Sequence, residues 1–425
     1  MKKRLAQLAA VAVCVVMVGS LAACGGNTSS NSSSGDSSDD TITVGVVYPA
    51  TGALAAFGDG TEEMYGYAVD QINEAGGVEV DGSMKKIELV FADSQSDATK
   101  ASEAANNLIL RRGVEIMLTA KTATTTVPVA AACERAGILC LSVDTPDEAW
   151  AISDYKTSYH AGFNTENELS AFADAWEMAG VSEGGSIGVM HATDTEGQTM
   201  IGAISAFAEG RGYTAYDPGA YTSGATDYTS IINNLKRENC EAIAGVMLTS
   251  DFGTFFAQLK SSGYMPKAVT IAKATLFVAD VDSAGADGLA SGLCSEVWWT
   301  PNHPFTSSIS GQTCQEIGDV WMELMPEYDY APATAGYDYA NVEILYNVLK
   351  NAGSLDIDAL TAACDELDID TVIGNINFND QHYSVQPLVT GQWIYNDDGT
   401  WTQNIIATTQ IPELETTGEF IPFEE

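Results

Sequence analysis

The chain has 425 residues, and 58 acidic side chains against 18 basic ones give it a formal net charge of −40. This balance excludes nucleic acid as a natural partner, because phosphate backbones are bound by surfaces rich in Lys and Arg. The length is sufficient for two domains of ordinary size, each with its own packed core.

The amino terminus has the parts of a secretory signal peptide. A basic start at residues 2–4 precedes an apolar run over residues 8–21, which is too short for a convincing transmembrane helix. The order Leu21-Ala22-Ala23-Cys24 then resembles the bacterial lipobox. The resemblance implies that residues 1–23 are removed and that Cys24 is lipidated, which anchors the protein to the outer side of the bacterial cell membrane. An ordinary signal peptide with a chance cysteine is the alternative.

A flexible linker follows the lipobox. Residues 25–40 are Gly, Ser, Asn, Thr and Asp only, and such a segment cannot bury a core. We therefore assign residues 24–40 to the lipidated cysteine and its tether, and expect the folded part to begin at about residue 41. No second long apolar run follows, so the lipid is the only contact with the membrane that we expect.

The cysteines and histidines do not have the spacing of a metal site. There is no CxxC, and the four histidines are far apart in the sequence, so we expect no structural zinc. Six cysteines follow Cys24, and outside the cytoplasm disulfides are permitted. Cys294 with Cys314 is the pair to test first, but spacing does not determine connectivity. Buried free thiols are the alternative.

From residue 41 the sequence alternates apolar strands with amphipathic helices. Tyr65, Ala68, Val69 and Ile72 have the i, i+3, i+4, i+7 spacing of one helix face, and a Gly-Gly pair ends that helix. The same patterns predict the following strands and helices: strands over residues 42–48, 87–92, 114–118 and 138–142, with helices that include residues 65–72, 98–108 and 125–136.

The alternation restarts after Asn164. It predicts strands over residues 186–191, 242–248 and 269–272, with helices around residues 228–235 and 252–259. Strands separated by such helices indicate parallel sheets covered on both faces, and two such runs predict two doubly wound, Rossmann-like α/β lobes. A late helical stripe over residues 342–349 indicates that the chain returns to the first lobe before it finishes in the second.

In such folds ligands bind beyond the carboxyl ends of the strands. Small polar residues are concentrated at several of the predicted strand ends: residues 49–58, 119–126 and 144–146 in the first lobe, and residues 192–197 and 249–251 in the second. Two such sets of loops facing each other predict a cleft that closes over a small molecule.

Residues 46–58 read VVYPATGALAAFG and resemble the opening motif of the branched-chain amino-acid-binding proteins, the type I solute-binding subunits of ABC importers. Further segments resemble that family in its own order: residues 72–77, 91–94, 226–228, 261–264 and 336–339. The resemblance implies the type I periplasmic-binding fold, in which two lobes are joined by a three-strand hinge. It places the first lobe at residues 41–160 plus 295–365 and the second at residues 161–294 plus 366–425.

The resemblance also implies ligand contacts in the first lobe. Phe57 matches an aromatic residue that packs on the ligand side chain, with packing between the lobes as the alternative. Thr122, Ala123 and Thr124 match the loop that holds the ligand carboxylate, although Ala123 stands where the family has serine, so Thr122 or Thr124 must supply the hydroxyl. Thr145 matches a threonine that contacts the ligand backbone. Helix capping is the competing role for Thr124 and Thr145.

The second lobe departs from the family pattern. Glu196 stands where relatives often have a tyrosine. Thr249, close to Asp251, stands where relatives have a second tyrosine that contacts the ligand. Lys273, followed by alanine, stands where relatives have the acidic residue that pairs with the ligand ammonium. A desolvated ammonium without a partner is costly. Either Glu196 or Asp251 therefore supplies the carboxylate, or the ligand has no ammonium and Lys273 pairs with an acidic ligand. A solvated Lys273 is the third alternative.

Residues 296–305 form the densest aromatic patch, and this patch resembles a subgroup of the family that takes up amides, amino acids or aromatic acids. One hypothesis is that Trp298 or Trp299 stacks on a planar ligand. The alternative is that both side chains pack at the hinge. His303 as a ligand contact is a further hypothesis.

The sequence thus predicts a monomeric solute receptor of an ABC importer, without cofactor or metal. Its solute is small and bears a carboxylate: a branched-chain or other hydrophobic amino acid, or an amide. The alternatives are an organic acid without an ammonium group and a ligand-sensing role. We find no GxSxG, HExxH or P-loop motif and expect no enzyme.

Overall fold

The computed structural model describes residues 40–285 and 288–423, without the side chains of Thr195 and Glu196. The predicted signal peptide and Cys24 lie outside these residues. Within them, no helix combines the length and the apolar character needed to cross a membrane.

The first run of elements alternates strands with helices, as the sequence predicts. Its strands are β1 Thr41–Tyr48, β2 Val78–Val80, β3 Ser83–Asp93, β4 Ile116–Ala120, β5 Leu139–Pro146 and β6 Ser158–Phe163. Its helices are α1 Ala55–Gly58, α2 Thr61–Glu74, α3 Ala98–Asn107 with a π-helical turn over Leu108–Arg112, α4 Ala123–Ala136 and α5 Glu148–Ala151.

The second run has the same character. Its helices are α6 Thr165–Met178, α7 Thr195–Gly210, α8 Thr229–Glu238, α9 Thr249–Ser261 and α10 Val278–Ala284. Its strands are β7 Ser186–Met190, β8 Thr214–Tyr216, β9 Ala242–Val246, β10 Ala268–Ala272 and β11 Cys294–Val297.

The rest of the chain adds three helices and five strands within the described residues. These are α11 Cys314–Leu324, α12 Ala333–Ala352, α13 Ile357–Asp365, β12 Asp368–Thr371, β13 Gly374–Asn377, β14 Tyr383–Val385, β15 Val389–Tyr395 and β16 Trp401–Ala407.

Two seven-stranded sheets define the two lobes. The first has the order β14-β6-β5-β4-β1-β3-β2, and the second has the order β16-β15-β11-β10-β9-β7-β8. Pairing in the first sheet is parallel except for the β2–β3 hairpin, and the second sheet ends in the antiparallel strands β15 and β16. Both are the doubly wound sheets that the sequence predicts.

The chain passes between the two sheets three times, after β6, after β11 and after β14. These crossings correct the predicted lobe boundaries. Strand β14 pairs with β6, so residues 383–385 belong to the first sheet and not to the second lobe. Strand β11 pairs with β10 and β15, so residues 295–297 belong to the second sheet and not to the first lobe.

Each lobe has its own core because its helices cover both faces of its sheet. In the first lobe the apolar stripe of α2 is buried against α12, which returns to this lobe as predicted. The six described cysteines are all buried and free, so Cys294 and Cys314 are not joined. Burial as thiols was the alternative for these residues.

Candidate ligand-binding site

A pocket lies at the carboxyl ends of strands from both sheets, as expected for two facing doubly wound lobes. Its cavity volume is about 100 Å³. The pocket is lined by Phe57, Thr122, Ala123, Thr124, Asp144, Pro146, Phe163, Glu168, Met200, Val246, Ala272, Lys273, Leu276, Glu296 and Trp298.

The polar wall of the first lobe is the turn between β4 and α4. Thr122 is buried, and its hydroxyl has no hydrogen-bond partner among the described residues. Thr124 is exposed and also lines the pocket. The first N–H groups of a helix have no partner within the helix, and the helix dipole makes this end favourable for an anion. The two hydroxyls and the start of α4 thus form a small anion-binding wall.

Backbone strain is concentrated in this wall. Lys121, Thr122 and Asp144 have φ angles of 72°, 68° and 55°, all in the left-handed region. Non-glycine residues adopt this region at a cost of about 1–3 kcal/mol each and keep it only where their surroundings fix it. One such contact is the hydrogen bond from the Lys121 N–H to the Asp144 Oδ1, at 2.6 Å.

The wall of the second lobe is acidic. Glu296 at the end of β11 and Glu168 on α6 both line the pocket, and both are buried. Glu296 Oε2 has no hydrogen-bond partner among the described residues. Burial raises the pKa of the Glu296 carboxyl well above its ordinary value, and the neighbouring Glu168 raises it further. An ammonium placed here would relieve both effects, because it is a donor and a positive charge.

The remaining wall is apolar and aromatic. The Phe57 ring lies 4.8 Å from the Phe277 ring and 6.2 Å from the Trp298 ring, between centroids. Trp298 also contacts Phe163, at 5.1 Å. Phe277 begins α10 in the second lobe, so Phe57 both lines the pocket and packs across the cleft. The two roles considered for Phe57 are therefore compatible.

Some predicted contacts do not reach the pocket. The Thr249 hydroxyl donates to Asp280 at 2.7 Å, and the buried Asp251 accepts from the Gly224 N–H at 2.7 Å. Thr145 is buried beneath the wall and does not line it. Thr249 and Asp251 are not among the lining residues, and each makes a contact within the second lobe. The Glu196 side chain lies outside the described residues.

Two residues of the aromatic patch are structural. The Trp299 indole donates to Cys314 Sγ at 3.3 Å, and a Cβ added to Gly336 would lie 2.3 Å from its ring. His303 is buried, and its Nδ1 accepts from the Thr300 N–H at 3.0 Å. Burial lowers the pKa of His303 to about 4. Trp298 is thus the aromatic residue of this patch that lines the pocket.

Six of the ten predicted contacts line this pocket: Phe57, Thr122, Ala123, Thr124, Lys273 and Trp298. Asp144, Glu168 and Glu296 also line the pocket and were not predicted as contacts, although residues 144–146 belong to a predicted polar strand end and residue 296 to the aromatic patch. Glu296 had a usable signal, because it stands alone as a charge in the apolar run of β11 and the tryptophans that follow. Glu168 had none, since the start of an amphipathic helix commonly carries acidic residues.

Within the described residues, His, Cys, Asp and Glu side chains form no group that could hold a metal ion.

Known proteins resemble this chain over most of its length. A family model described as periplasmic binding protein matches residues 41–400. A Leu/Ile/Val-binding protein homologue of Brucella melitensis is 23% identical over 346 residues, which cover 80% of this chain and 87% of the relative.

Solved structures have the same fold. A leucine-binding protein of Thermotoga maritima superposes with a TM-score of 0.69 at 16% identity and covers 85% of this chain and 97% of its own. A branched-chain amino-acid transporter substrate-binding protein of Streptococcus pneumoniae, solved with isoleucine, has a TM-score of 0.67 at 19% identity, with 87% and 100% covered.

Proposed function

This chain belongs to the periplasmic binding protein family, and from that premise we propose that it is the solute-binding lipoprotein of an ABC importer. It captures a hydrophobic amino acid in the cleft and delivers it to a permease in the membrane. The relatives named for leucine, isoleucine and valine support this class of solute.

The opposite character of the two polar walls is the observation that carries the proposal. The Thr122 hydroxyl and the start of α4 offer donors to a carboxylate, whereas Glu296 and Glu168 offer carboxyl oxygens that would accept from an ammonium and ionise beside it. The aromatic and aliphatic wall between them suits an apolar side chain. A zwitterionic amino acid matches all three surfaces.

An organic acid without an ammonium is the second candidate, and Lys273 and Trp298 in the lining favour it. Such a ligand would leave the buried Glu296 Oε2 without a hydrogen-bond partner, which is costly. The ammonium of an amino acid would donate to it.

The test is a thermal-shift and calorimetric screen of residues 25–425, which lack the signal peptide and Cys24. A ligand that binds only the folded state at 100 times its Kd stabilises that state by about 2.7 kcal/mol. We expect stabilisation by leucine, isoleucine, valine or phenylalanine, and none by benzoate or phenylacetate. Stabilisation by the acids alone would contradict the amino-acid proposal and support the second candidate.

A pair of variants tests the acidic wall. Glu296→Gln keeps the shape and removes the charge, so we expect at least a tenfold loss of amino-acid affinity by calorimetry. Glu323→Gln on the exposed side of α11 is the matched control and should bind as the wild type does. Equal affinities of all three proteins would remove Glu296 from the site.

The anchor is proposed from the sequence. Cleavage after residue 23 leaves Cys24 at the new amino terminus, where two acyl chains would hold the protein stably at the membrane. Metabolic labelling with a palmitate analogue should label the full chain expressed in a bacterium and not the Cys24→Ala variant. An unlabelled parent chain would exclude the lipoprotein assignment.

A further inference from the structure

Lys121 is a fully buried lysine directly before the anion-binding wall. Its Nζ lies 2.7 Å from Asp338 Oδ1 and 3.1 Å from Asp144 Oδ2, and all three side chains are at most 1% exposed. The Thr61 hydroxyl donates to Asp338 Oδ2 at 3.1 Å. One buried cation and two carboxylates therefore join the ends of β4 and β5 to α2 and α12.

The stability of the fold does not account for this cluster. Buried ion pairs gain little over apolar side chains of similar volume, because desolvation consumes most of the attraction. Burial lowers the pKa of the Lys121 ammonium, but the carboxylates of Asp144 and Asp338 together raise it above its ordinary value. Lys121 therefore stays charged.

Asp144 gives the cluster its connection to the cleft. It lines the pocket beside Thr122 and Ala123, where the ligand carboxylate is proposed to bind. Burial raises the pKa of Asp144 to about 7, and the ammonium of Lys121 opposes that rise. Removal of the ammonium would therefore leave Asp144 neutral, so Lys121 is the group that keeps this carboxylate charged and paired.

We propose that Lys121 is the positioning residue for the carboxylate of the ligand. From beneath the wall its ammonium holds the Asp144 carboxylate in place. Asp144 Oδ1 in turn accepts from the Lys121 N–H and so fixes the strained turn that presents the Thr122 hydroxyl to the cleft. The arrangement selects ligands with a carboxylate over their neutral amides. This inference rests on the proposed function, since it assumes an amino acid in the cleft.

The test compares an amino acid with its carboxamide, for example leucine with leucinamide, by calorimetry. In Lys121→Met we expect a loss of at least thirtyfold for leucine and less than threefold for leucinamide. In the double variant Lys121→Met with Asp144→Asn, a neutral amide oxygen that needs no cation beside it accepts from the N–H of residue 121, so leucine affinity should return to within about fivefold of the wild type. A general loss of structure would reduce the binding of both ligands equally. Lys267→Met, on the surface of the second lobe, is the control for removal of a lysine and should bind as the wild type does.

Equal losses of both ligands in Lys121→Met, or a double variant that does not recover, would overturn the inference. If Lys121→Met does not fold, Asp144→Ala decides, because it removes the acceptor that fixes the turn: affinity for leucine should fall at least tenfold and that for leucinamide less than threefold, and any other result contradicts the inference. Failure of the proposed function can be told apart from failure of this inference, because the wild type itself would then bind no amino acid.

Discussion

At the scale of single residues, the hydroxyl of Thr122 offers the most direct test of the binding proposal. It is buried, faces the pocket and has no hydrogen-bond partner among the described residues. Thr122→Val keeps the shape and removes the hydroxyl. We expect amino-acid affinity to fall by about 10- to 100-fold, because hydrogen bonds to a charged group contribute about 1.5–3 kcal/mol. Calorimetry measures the affinity, and urea unfolding should show stability unchanged or slightly raised.

Thr126→Val is the matched control for this substitution. The Thr126 hydroxyl is also buried without a hydrogen-bond partner among the described residues, but it does not line the pocket. Its removal should affect stability as Thr122→Val does and leave affinity unchanged. Equal affinities of the two variants would mean that Thr122 does not touch the ligand.

The sequence predicted the first-lobe wall better than the second-lobe wall for a physical reason. Strand ends and helix starts have local signals, so the resemblance could be extended residue by residue to Phe57 and Thr122. The acidic wall consists of Glu168 and Glu296, which come from an amphipathic helix and a distant strand. Only the packing of α6 on β11 brings them together, and no local pattern encodes that contact.

At the scale of elements, the close packing around residue 58 explains why the segment VVYPATGALAAFG ends in glycine. A Cβ at this position would lie 2.4 Å from the carbonyl oxygen of Pro49, a backbone atom that cannot move aside cheaply. Gly58→Ala should therefore lower the free energy of unfolding by about 1–3 kcal/mol, as overpacking does. Because Phe57 precedes it and lines the pocket, amino-acid affinity should fall as well.

A second glycine serves as the control for Gly58. Gly66 lies within α2, and a Cβ there would meet no atom within 4 Å. Gly66→Ala should raise stability by about 1 kcal/mol, the helix propensity difference, with unchanged affinity. Urea denaturation and calorimetry of both variants test the pair. A Gly58→Ala protein as stable as the wild type would contradict the close approach.

The predicted elements were most accurate where the apolar repeat is long. The apolar stripes of α2, α8 and α9 each predicted a helix that the structure contains. The last crossing between the lobes was misplaced because β14 has only three residues, of which one is buried. Such a strand is defined by its hydrogen bonds to β6, and those are not visible in the sequence.

At the scale of the whole molecule, buried titratable groups determine how stability depends on pH. Burial raises the pKa of Asp144 and of Glu343 to about 7. Burial, with a smaller effect from the charge of Glu148, raises the pKa of Asp147 to about 9. Burial lowers the pKa of His160 to about 4. The acids favour the folded state at low pH and lose that contribution as pH rises, whereas the neutral histidine loses its contribution as pH falls from about 6.5 to 4. Above pH 6.5 the contribution of His160 is constant while that of the three acids is still being lost, so stability should decline.

Asp147 offers a direct test of the predicted decline of stability with rising pH. It is 1% exposed, and neither of its carboxyl oxygens has a hydrogen-bond partner among the described residues. His160 Nε2 lies 3.7 Å away but donates to the Thr145 carbonyl at 2.8 Å, and both side chains are neutral near pH 7. The folded state therefore holds a proton that the unfolded state has lost, and stability should fall by up to about 1.4 kcal/mol per pH unit from this group. Asp147→Asn imitates the neutral acid, so its urea unfolding free energy should decline less steeply between pH 6.5 and 8.5 and exceed that of the wild type at pH 9. The exposed Asp154→Asn should keep the wild-type slope, and an unchanged slope in Asp147→Asn would show that Asp147 is ionised in the folded protein.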